Sequence, residues 1–396
     1  MKEGWEKKKL GEVCCKITDG SHNPPKGIDV SEFKMISSQN VFDDQLIIDS
    51  STVRYLSLED FEKENKRTNV EKNDVLLTIV GTVGRSCVIS GEEGKIALQR
   101  SVALLKPSSK ITSRFLMFAL ISKRDELNRE AHGIAQKGIY LKQLTSLSIP
   151  VPPLSVQESI VSELDMLSGI ISKHKALQEE YDRLEQSIFY DMFGDPVTNE
   201  KGWEVKELGS MCEVTSAKRV LIEEVVNEGI PFLRGTELMA LCKKCKNEKI
   251  NFSLFITQEH YDRLKAITGV PKQGDLLIPS INADGLVWIV DTGEPFYFKD
   301  GRVLWVHVNN EYYNSIALQK IIHYILEGTY STMASGATFA ELKLFVLREL
   351  QVPLPPLSLQ QSFADKISAI EQMKAKNKAA QEEAEMLFNE RMAYYF

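Results

Sequence analysis

From Ser155 to Phe193 the polar and apolar positions alternate with a helical period. Apolar or neutral side chains fall at Ile160, Leu164, Leu167, Ile171, His174, Leu177, Tyr181, Leu184 and Ile188, in steps of three and four residues. That is a heptad-like seam, and with no proline inside it predicts one helix of roughly 55–60 Å at about 1.5 Å per residue. The same register returns near the C-terminus at Phe363, Ile367, Ile370, Lys374, Asn377, Ala380, Ala384, Leu387 and Arg391. Ser155 and Ser358 are the predicted N-caps. Three positions of the second seam, Lys374, Asn377 and Arg391, are polar; they either fix the alignment of two paired helices, with His174 opposite, or face solvent. Elsewhere the pattern is short and β-branched, punctuated by glycine. Val75–Val80, Cys87–Ile89, Leu276–Ile278 and Val287–Val290 read as strands. Short helices are expected after Ser57 and Thr257, and longer ones over Ser113–Asn128 and Ser315–Glu327.

These elements occur twice. Gly4-Trp5-Glu6-x-Lys8-x-Leu10-Gly11-x-x-Cys14 returns at Gly202–Cys212, and Pro150-Val-Pro-Pro-Leu-Ser-Val-Gln157 returns as Pro353-Leu-Pro-Pro-Leu-Ser-Leu-Gln360. Between them Asp74-Val-Leu-Leu corresponds to Asp275-Leu-Leu-Ile, Gly84 to Gly285 and Gly133 to Gly336. A period of about 200 residues is too long for a solenoid, so the repeated unit is a whole domain with its connector. The expected fold is α+β, with two similar globular domains at 1–150 and 199–353. Two long helices, at 151–198 and 354–396, would pair antiparallel about a pseudo-two-fold axis in a circular order of domain, helix, domain, helix.

Composition narrows the class. In 396 residues, 43% hydrophobic and 26% charged are ordinary for globular chains. No apolar run reaches the ~18 residues of a membrane span, and the first residues lack the apolar core of a secretion signal; a cytoplasmic protein is expected. The six cysteines, at 14, 15, 87, 212, 242 and 245, are then expected as reduced thiols. The net charge of −7 argues against indiscriminate nucleic-acid binding. It is concentrated in 151–200, where ten acidic residues face three basic ones. An acidic connector suits a protein partner there and another ligand on the domains.

In order and in duplicate, these motifs resemble the specificity subunit of type I restriction-modification systems, over essentially the whole chain. The carriers are the Gly-Trp openings, the Asp19-Gly20-Ser21-His22-Asn23-Pro24 loop, the two Asp-Val/Leu-Leu turns, Ser335–Thr338 and both proline junctions before long helices. The resemblance implies two target-recognition domains, each reading one half of a split double-stranded DNA sequence, and a coiled-coil spacer between them. It also implies a chain without catalysis of its own. Two modification subunits carrying S-adenosylmethionine would dock on the helices, with helicase-nuclease restriction subunits as optional further partners. The alternative from another class is a duplicated coiled-coil adaptor that binds proteins alone.

Catalytic readings are weaker. Asn23-Pro24-Pro25 begins like the adenine methyltransferase turn but continues with Lys26, which cannot stack on a flipped base as an aromatic does. Asp74, Glu93 and Lys95 could be stretched into a nuclease triad, but Phe296 replaces the lysine in the second copy. Cys242 and Cys245 form at most half a zinc site. No metal is expected. A recognition domain needs groups that grip phosphates and groups that read base edges, and these should lie where the copies diverge. In the first domain the candidates are Ser21, His22, Asn23, Ser37, Ser38, Gln39, Asn40, Thr82, Arg85, Gln99, Arg100, Gln136 and Lys137. In the second they are Ser216, Lys218, Arg219, Arg234, Thr236, Ser280, Asn282, Arg302 and Thr338.

Overall fold

Val75–Thr78 is buried along its whole length because its alternate residues serve two cores. Val75 and Leu77 face a cluster with Phe115, Phe118, Ile160 and Leu164, whereas Leu76 faces Cys87, Ile96, Leu98 and Leu104. Around it the first unit runs β1 (Glu6–Lys9), β2 (Cys14–Asp19), β3 (Phe33–Ile36), β4 (Arg54–Leu56), α1 (Leu58–Thr68), β5 (Val75–Thr78), β6 (Ser86–Val88), β7 (Lys95–Leu98), β8 (Val102–Pro107), α2 (Ser113–Ser122), α3 (Arg124–Glu130) and β9 (Ser148–Val151). One sheet has the order β2-β8-β5-β6, a second β4-β3-β7, and β1 pairs with β9. The parallel pair β3–β7 sets Ile36 opposite Leu98. The long helix α4 (Leu154–Phe193) follows.

The second unit repeats the plan with β10 (Glu204–Glu207), β11 (Glu213–Ser216), β12 (Ile230–Leu233), α5 (Gly235–Lys243), β13 (Phe255–Ile256), α6 (Gln258–Thr268), β14 (Leu276–Pro279), β15 (Trp288–Ile289), β16 (Tyr297–Phe298), β17 (Val303–His307), α7 (Ser315–Met333) and β18 (Gln351–Leu354), before the long helix α8 (Leu357–Tyr395). Its sheets are β11-β17-β14-β15, β13-β12-β16 and β10-β18. These three sheets repeat the order of the first unit, which adds a short hairpin of Val41–Phe42 with Gln45–Leu46, so the α+β expectation and the duplication are borne out. The computed structural model describes residues 5–131, 138–243, 252–281, 285–333 and 341–396, with side chains omitted for 330–333. The landmarks Gly133 and Gly336 and the Ser335–Thr338 stretch lie outside them.

Contacts group residues 1–173 with 381–396, and 174–380 by themselves. Each long helix therefore gives one half to each unit. In the first unit Phe388 packs on Phe118 and Phe396 on Phe115, with centroids 6.1 and 5.1 Å apart. In the second, Phe363 meets Phe193 at 4.8 Å, and the indole Nε1 of Trp203 donates to the Phe193 carbonyl at 2.8 Å. The second Gly-Trp opening thus closes the end of α4.

The proline junctions differ from expectation in one respect. The helices begin at Leu154 and Leu357, so Ser155 and Ser358 lie inside them and are not N-caps. The carbonyls of Pro153 and Pro356 start the helical ladders instead, because proline lacks an N–H but keeps its acceptor. The glutamine that follows does more than extend the helix. Gln157 is fully buried: Oε1 accepts from the Thr112 N–H (2.9 Å), and Nε2 donates to the carbonyls of Pro152 (2.9 Å) and Lys110 (3.0 Å). Gln360 repeats each contact, with the Asn314 N–H (2.9 Å) and the carbonyls of Pro355 (2.8 Å) and Tyr312 (2.9 Å). Thr112 caps α2 and Asn314 caps α7 through their own side chains. Each glutamine therefore ties the start of a long helix to the start of the helix that backs the sheet.

The seam also slips by one residue. Ile160, Leu164 and Leu167 are buried, Ile171, Tyr181 and Ile188 half-buried, and Phe363, Ile367, Ile370 and Ala384 buried, with Ala380 half-buried. Leu177, Leu184 and Leu387 are instead 40%, 46% and 44% exposed. Two successive steps of three rotate about 120° off a helical face, so Gln178 and Glu185 take the inward places on α4 and Phe388 on α8. Of the three polar seam residues, Lys374 and Asn377 face inward and Arg391 is half-buried. Asn377 Oδ1 accepts from His174 Nδ1 (2.7 Å), and its Nδ2 donates to the His174 carbonyl (2.9 Å). Lys374 pairs with Glu185 (2.6 Å) and Asp182 (2.8 Å), while Glu185 also pairs with Lys320 of α7. Burial opposes the charge on Glu185, but Lys320 and Lys374 outweigh it and hold the carboxyl below its ordinary range. In the first unit Arg391 pairs with Glu163, joined by the Tyr395 hydroxyl.

The helix expected over Ser113–Asn128 breaks at Lys123, whose N–H folds back on the Leu120 carbonyl (3.1 Å). There Arg124 turns to the Gly84 carbonyl (3.2 Å). Its counterpart α7 runs on to Met333, past the expected Glu327.

Candidate nucleic-acid interface

Strand register fixes which loop residues correspond. Ile36 pairs with Leu98 as Leu233 pairs with Phe298, so Ser38 matches Gly235 and Gln99 matches Lys299. Val102 faces Thr78 as Val303 faces Pro279, so Arg302 matches Ser101, one place from Arg100. The loops after β2, β3 and β7 converge. Gly20 lies so close to β7 that a Cβ there would sit 2.0 Å from the Leu98 carbonyl oxygen. The Ser21 N–H reaches the same oxygen at 2.7 Å, and the Arg100 N–H reaches the Ser21 carbonyl at 2.8 Å.

This convergence forms a polar cavity of about 380 Å³ lined by Ser37, Ser38, Gln39, Gln99 and Arg100. A neighbouring cavity of about 590 Å³ shares Arg100 and adds His22 and Tyr140. Five of the thirteen first-domain candidates thus line one concavity. Arg100, Gln39, Asn23 and Thr82 are exposed and Ser21 is half-buried. Arg85 lies over the Phe42 ring, 4.8 Å from its centroid. Two arginines that the sequence reading passed over line these cavities as well: Arg54 in the first and Arg67 in the second. Both sit in regular elements, where charge reads as a solvated face.

Asn40 requires correction. It is fully buried; Oδ1 accepts from the Ser37 N–H (2.9 Å), and Nδ2 donates to the Ile47 carbonyl (3.2 Å) and the Thr52 hydroxyl (3.0 Å). It shapes the loop and presents nothing to a ligand. Ser280 is likewise buried, donating to the Gly301 carbonyl at 2.8 Å. Ser216 donates to the Val303 carbonyl (3.0 Å) and accepts from the Gly301 N–H (3.1 Å). Around these supports Lys218, Arg219, Arg234, Thr236 and Arg302 are exposed, with Arg234 and Thr236 both bonded to Glu237 (2.6 and 2.9 Å). Gln136, Lys137, Asn282 and Thr338 lie outside the described residues.

The catalytic decoys dissolve into structure. Asp74 accepts from the Glu71 N–H and Asp275 from the Lys272 N–H, each at 2.8 Å, so both aspartates close a turn before the central strand. Glu93 binds the Ser90 and Gly91 N–H groups of its own turn, also at 2.8 Å. A concavity of about 920 Å³ is lined by Asp74, Lys106 and Arg114, whose charges are matched: Lys106 with Asp74 (2.8 Å) and Arg114 with Asp44 and Asp165. Among the described residues no group of three or more His, Cys, Asp or Glu could hold a metal. The described cysteines, Cys14, Cys15, Cys87, Cys212 and Cys242, are unpaired thiols, and burial pushes that of Cys87 up to about 12. No helix among the described residues is long and apolar enough to cross a membrane.

Comparison with known proteins gives a consistent outcome. The family described as the type I restriction modification DNA specificity domain matches twice, over residues 2–181 and 200–386. A type I restriction enzyme specificity subunit of Haemophilus influenzae is 27% identical over 273 residues, 67% of this chain and 66% of the relative. The MjaVIII specificity subunit of Methanocaldococcus jannaschii is 24% identical over 78% of this chain and 75% of its own. Among solved structures, the S subunit of a type I restriction-modification system from M. genitalium shares the fold with a TM-score of 0.60 at 14% identity, covering 99% of this chain and 96% of that one.

Proposed function

Because the chain belongs to the type I restriction-modification DNA specificity family, we propose that it is the non-catalytic subunit that chooses the DNA target of a methylating and cleaving complex. The first unit reads one half-site through the loops after β2, β3 and β7, and the second reads the other through the corresponding loops. The observation that carries this reading is one scaffold built twice with different polar groups at matched positions, such as Gln99 against Lys299 and Ser38 against Gly235. Repetition of the strand order supplies two equivalent platforms; divergence of the loops gives them different preferences.

The long helices serve as spacer and as docking surface for two modification subunits. Exposed apolar residues support the second role: Met166 and Ile170 in the first unit, and Leu177, Leu184 and Met373 in the second. S-adenosylmethionine belongs to those partners, restriction subunits join the same assembly, and the site of action is the cytoplasm. With a net charge of −7, this chain supplies part of the phosphate-binding charge and its partners supply the rest, so the assembled complex should have the steeper salt dependence.

Methylation mapping of DNA from cells carrying this chain with its modification partner tests the reading. The expected result is a bipartite motif with two different half-sites separated by a fixed spacer. A continuous palindrome would overturn it.

A further inference from the structure

Asp19 ends β2 with its carboxylate 9% exposed, beneath the cavity that Arg100 and His22 line. It holds two side chains at the wall: His22 Nε2 lies 2.8 Å from Oδ2 and Arg67 Nη2 lies 2.6 Å from Oδ1. Arg67 is held at a second point, where its Nε donates to the Thr18 hydroxyl at 3.0 Å. Oδ1 accepts no aligned hydrogen bond, so charge rather than a directed N–H bond holds Nη2. The guanidinium is therefore fixed in place by one edge, while its outer N–H groups have no partner among the described residues. Its side chain is 54% exposed.

The second unit shows that the scaffold does not need this arrangement. Register places Thr215 where Thr18 stands and Ser216 where Asp19 stands. Counting from the matched caps Ser57 and Thr257, Arg67 corresponds to Ile267, which is 60% exposed. The threonine persists, while carboxylate and arginine are replaced together, and the helix keeps its cap and its length. An ion pair whose only task was to pin α1 to β2 would leave its exposed guanidinium edge without a purpose. A phosphate grip needs charge but not orientation; a base contact needs the fork held in one pose.

We propose that Arg67 is a specificity-determining residue of the first unit, positioned by Asp19 and Thr18 to read a base pair through paired acceptors on one edge, the pattern that guanine presents. The inference rests on the proposed DNA-reading function. Its test is methylation mapping of the full chain with its modification partner as wild type, Arg67→Gln, Arg67→Lys and Asp19→Asn. Arg67→Gln and Arg67→Lys should both relax one guanine position in one half-site, with methylation of sites that carry another base there rising roughly ten- to a hundredfold relative to sites that carry guanine. The other half-site should be unchanged. Asp19→Asn should relax the same position more weakly. An unchanged motif in Arg67→Gln overturns the proposal, as does a uniform loss at all positions that Arg67→Lys restores, which would mark a phosphate contact. A wild-type motif without two half-sites would instead overturn the reading beneath it.

Discussion

Arg100 and Asn40 come from adjoining loops of the first unit, one exposed at the mouth of a cavity and the other fully buried. Their composition alone placed them in one class, since asparagine and arginine both read and grip DNA. The structure separates them by where their hydrogen bonds go. Arg100→Ala should weaken DNA retention by the assembled complex across all sequences and lower the salt slope by about 1, as loss of one phosphate contact does; a gel-shift series over salt concentration checks this. Asn40→Ala should instead cost roughly 1–3 kcal/mol of folding stability, because buried partners lose their bonds, and denaturant unfolding measures it. The sequence showed which loops diverge. It did not show which polar groups were already committed, because Asn40 meets Ile47 and Thr52 only once the chain has folded back.

Among the elements, the two long helices show where periodicity succeeds and where it misleads. The helices themselves were legible, because a three-four spacing over some forty residues has no competing explanation. The inward face was legible near Ile160 and Phe363 but not near Leu177 and Leu184, where leucine drew the reading away from Gln178 and Glu185. A buried charge inside a seam is paired at a distance, and Lys320, on another helix, has no sequence signature. Replacing Lys374 alone with Met should cost about 1.5–3 kcal/mol by leaving Glu185 to Lys320 alone, whereas exchanging Glu185, Lys320 and Lys374 together for apolar residues should be neutral or stabilising. Thermal unfolding of the two variants distinguishes these. The lowered Glu185 carboxyl also has a pH signature. Its stabilisation is complete above its ordinary value of 4.5 and is lost as pH falls through the lowered one. The stability advantage of wild type over Glu185→Gln should therefore hold above about pH 4.5 and shrink as the pH falls below it, and a gap independent of pH would contradict the assignment.

For the whole molecule, duplication made the architecture readable: each weak motif gained force by recurring in order, and the two units share the strand order of three sheets. The glutamine after each proline junction stands out in the sequence, but its role does not, since the N–H it binds lies some 45 residues earlier in the chain. Gln360→Leu should cost roughly 1–3 kcal/mol by stranding the Asn314 N–H and two carbonyls, detectable as earlier unfolding of the second unit in hydrogen exchange. Both glutamines bind main-chain atoms alone. An attachment that ignores side-chain identity places no demand on the text between the tryptophan and the prolines. A segment of different sequence between those landmarks would keep the same joint, provided that it brings one N–H and one carbonyl to the glutamine.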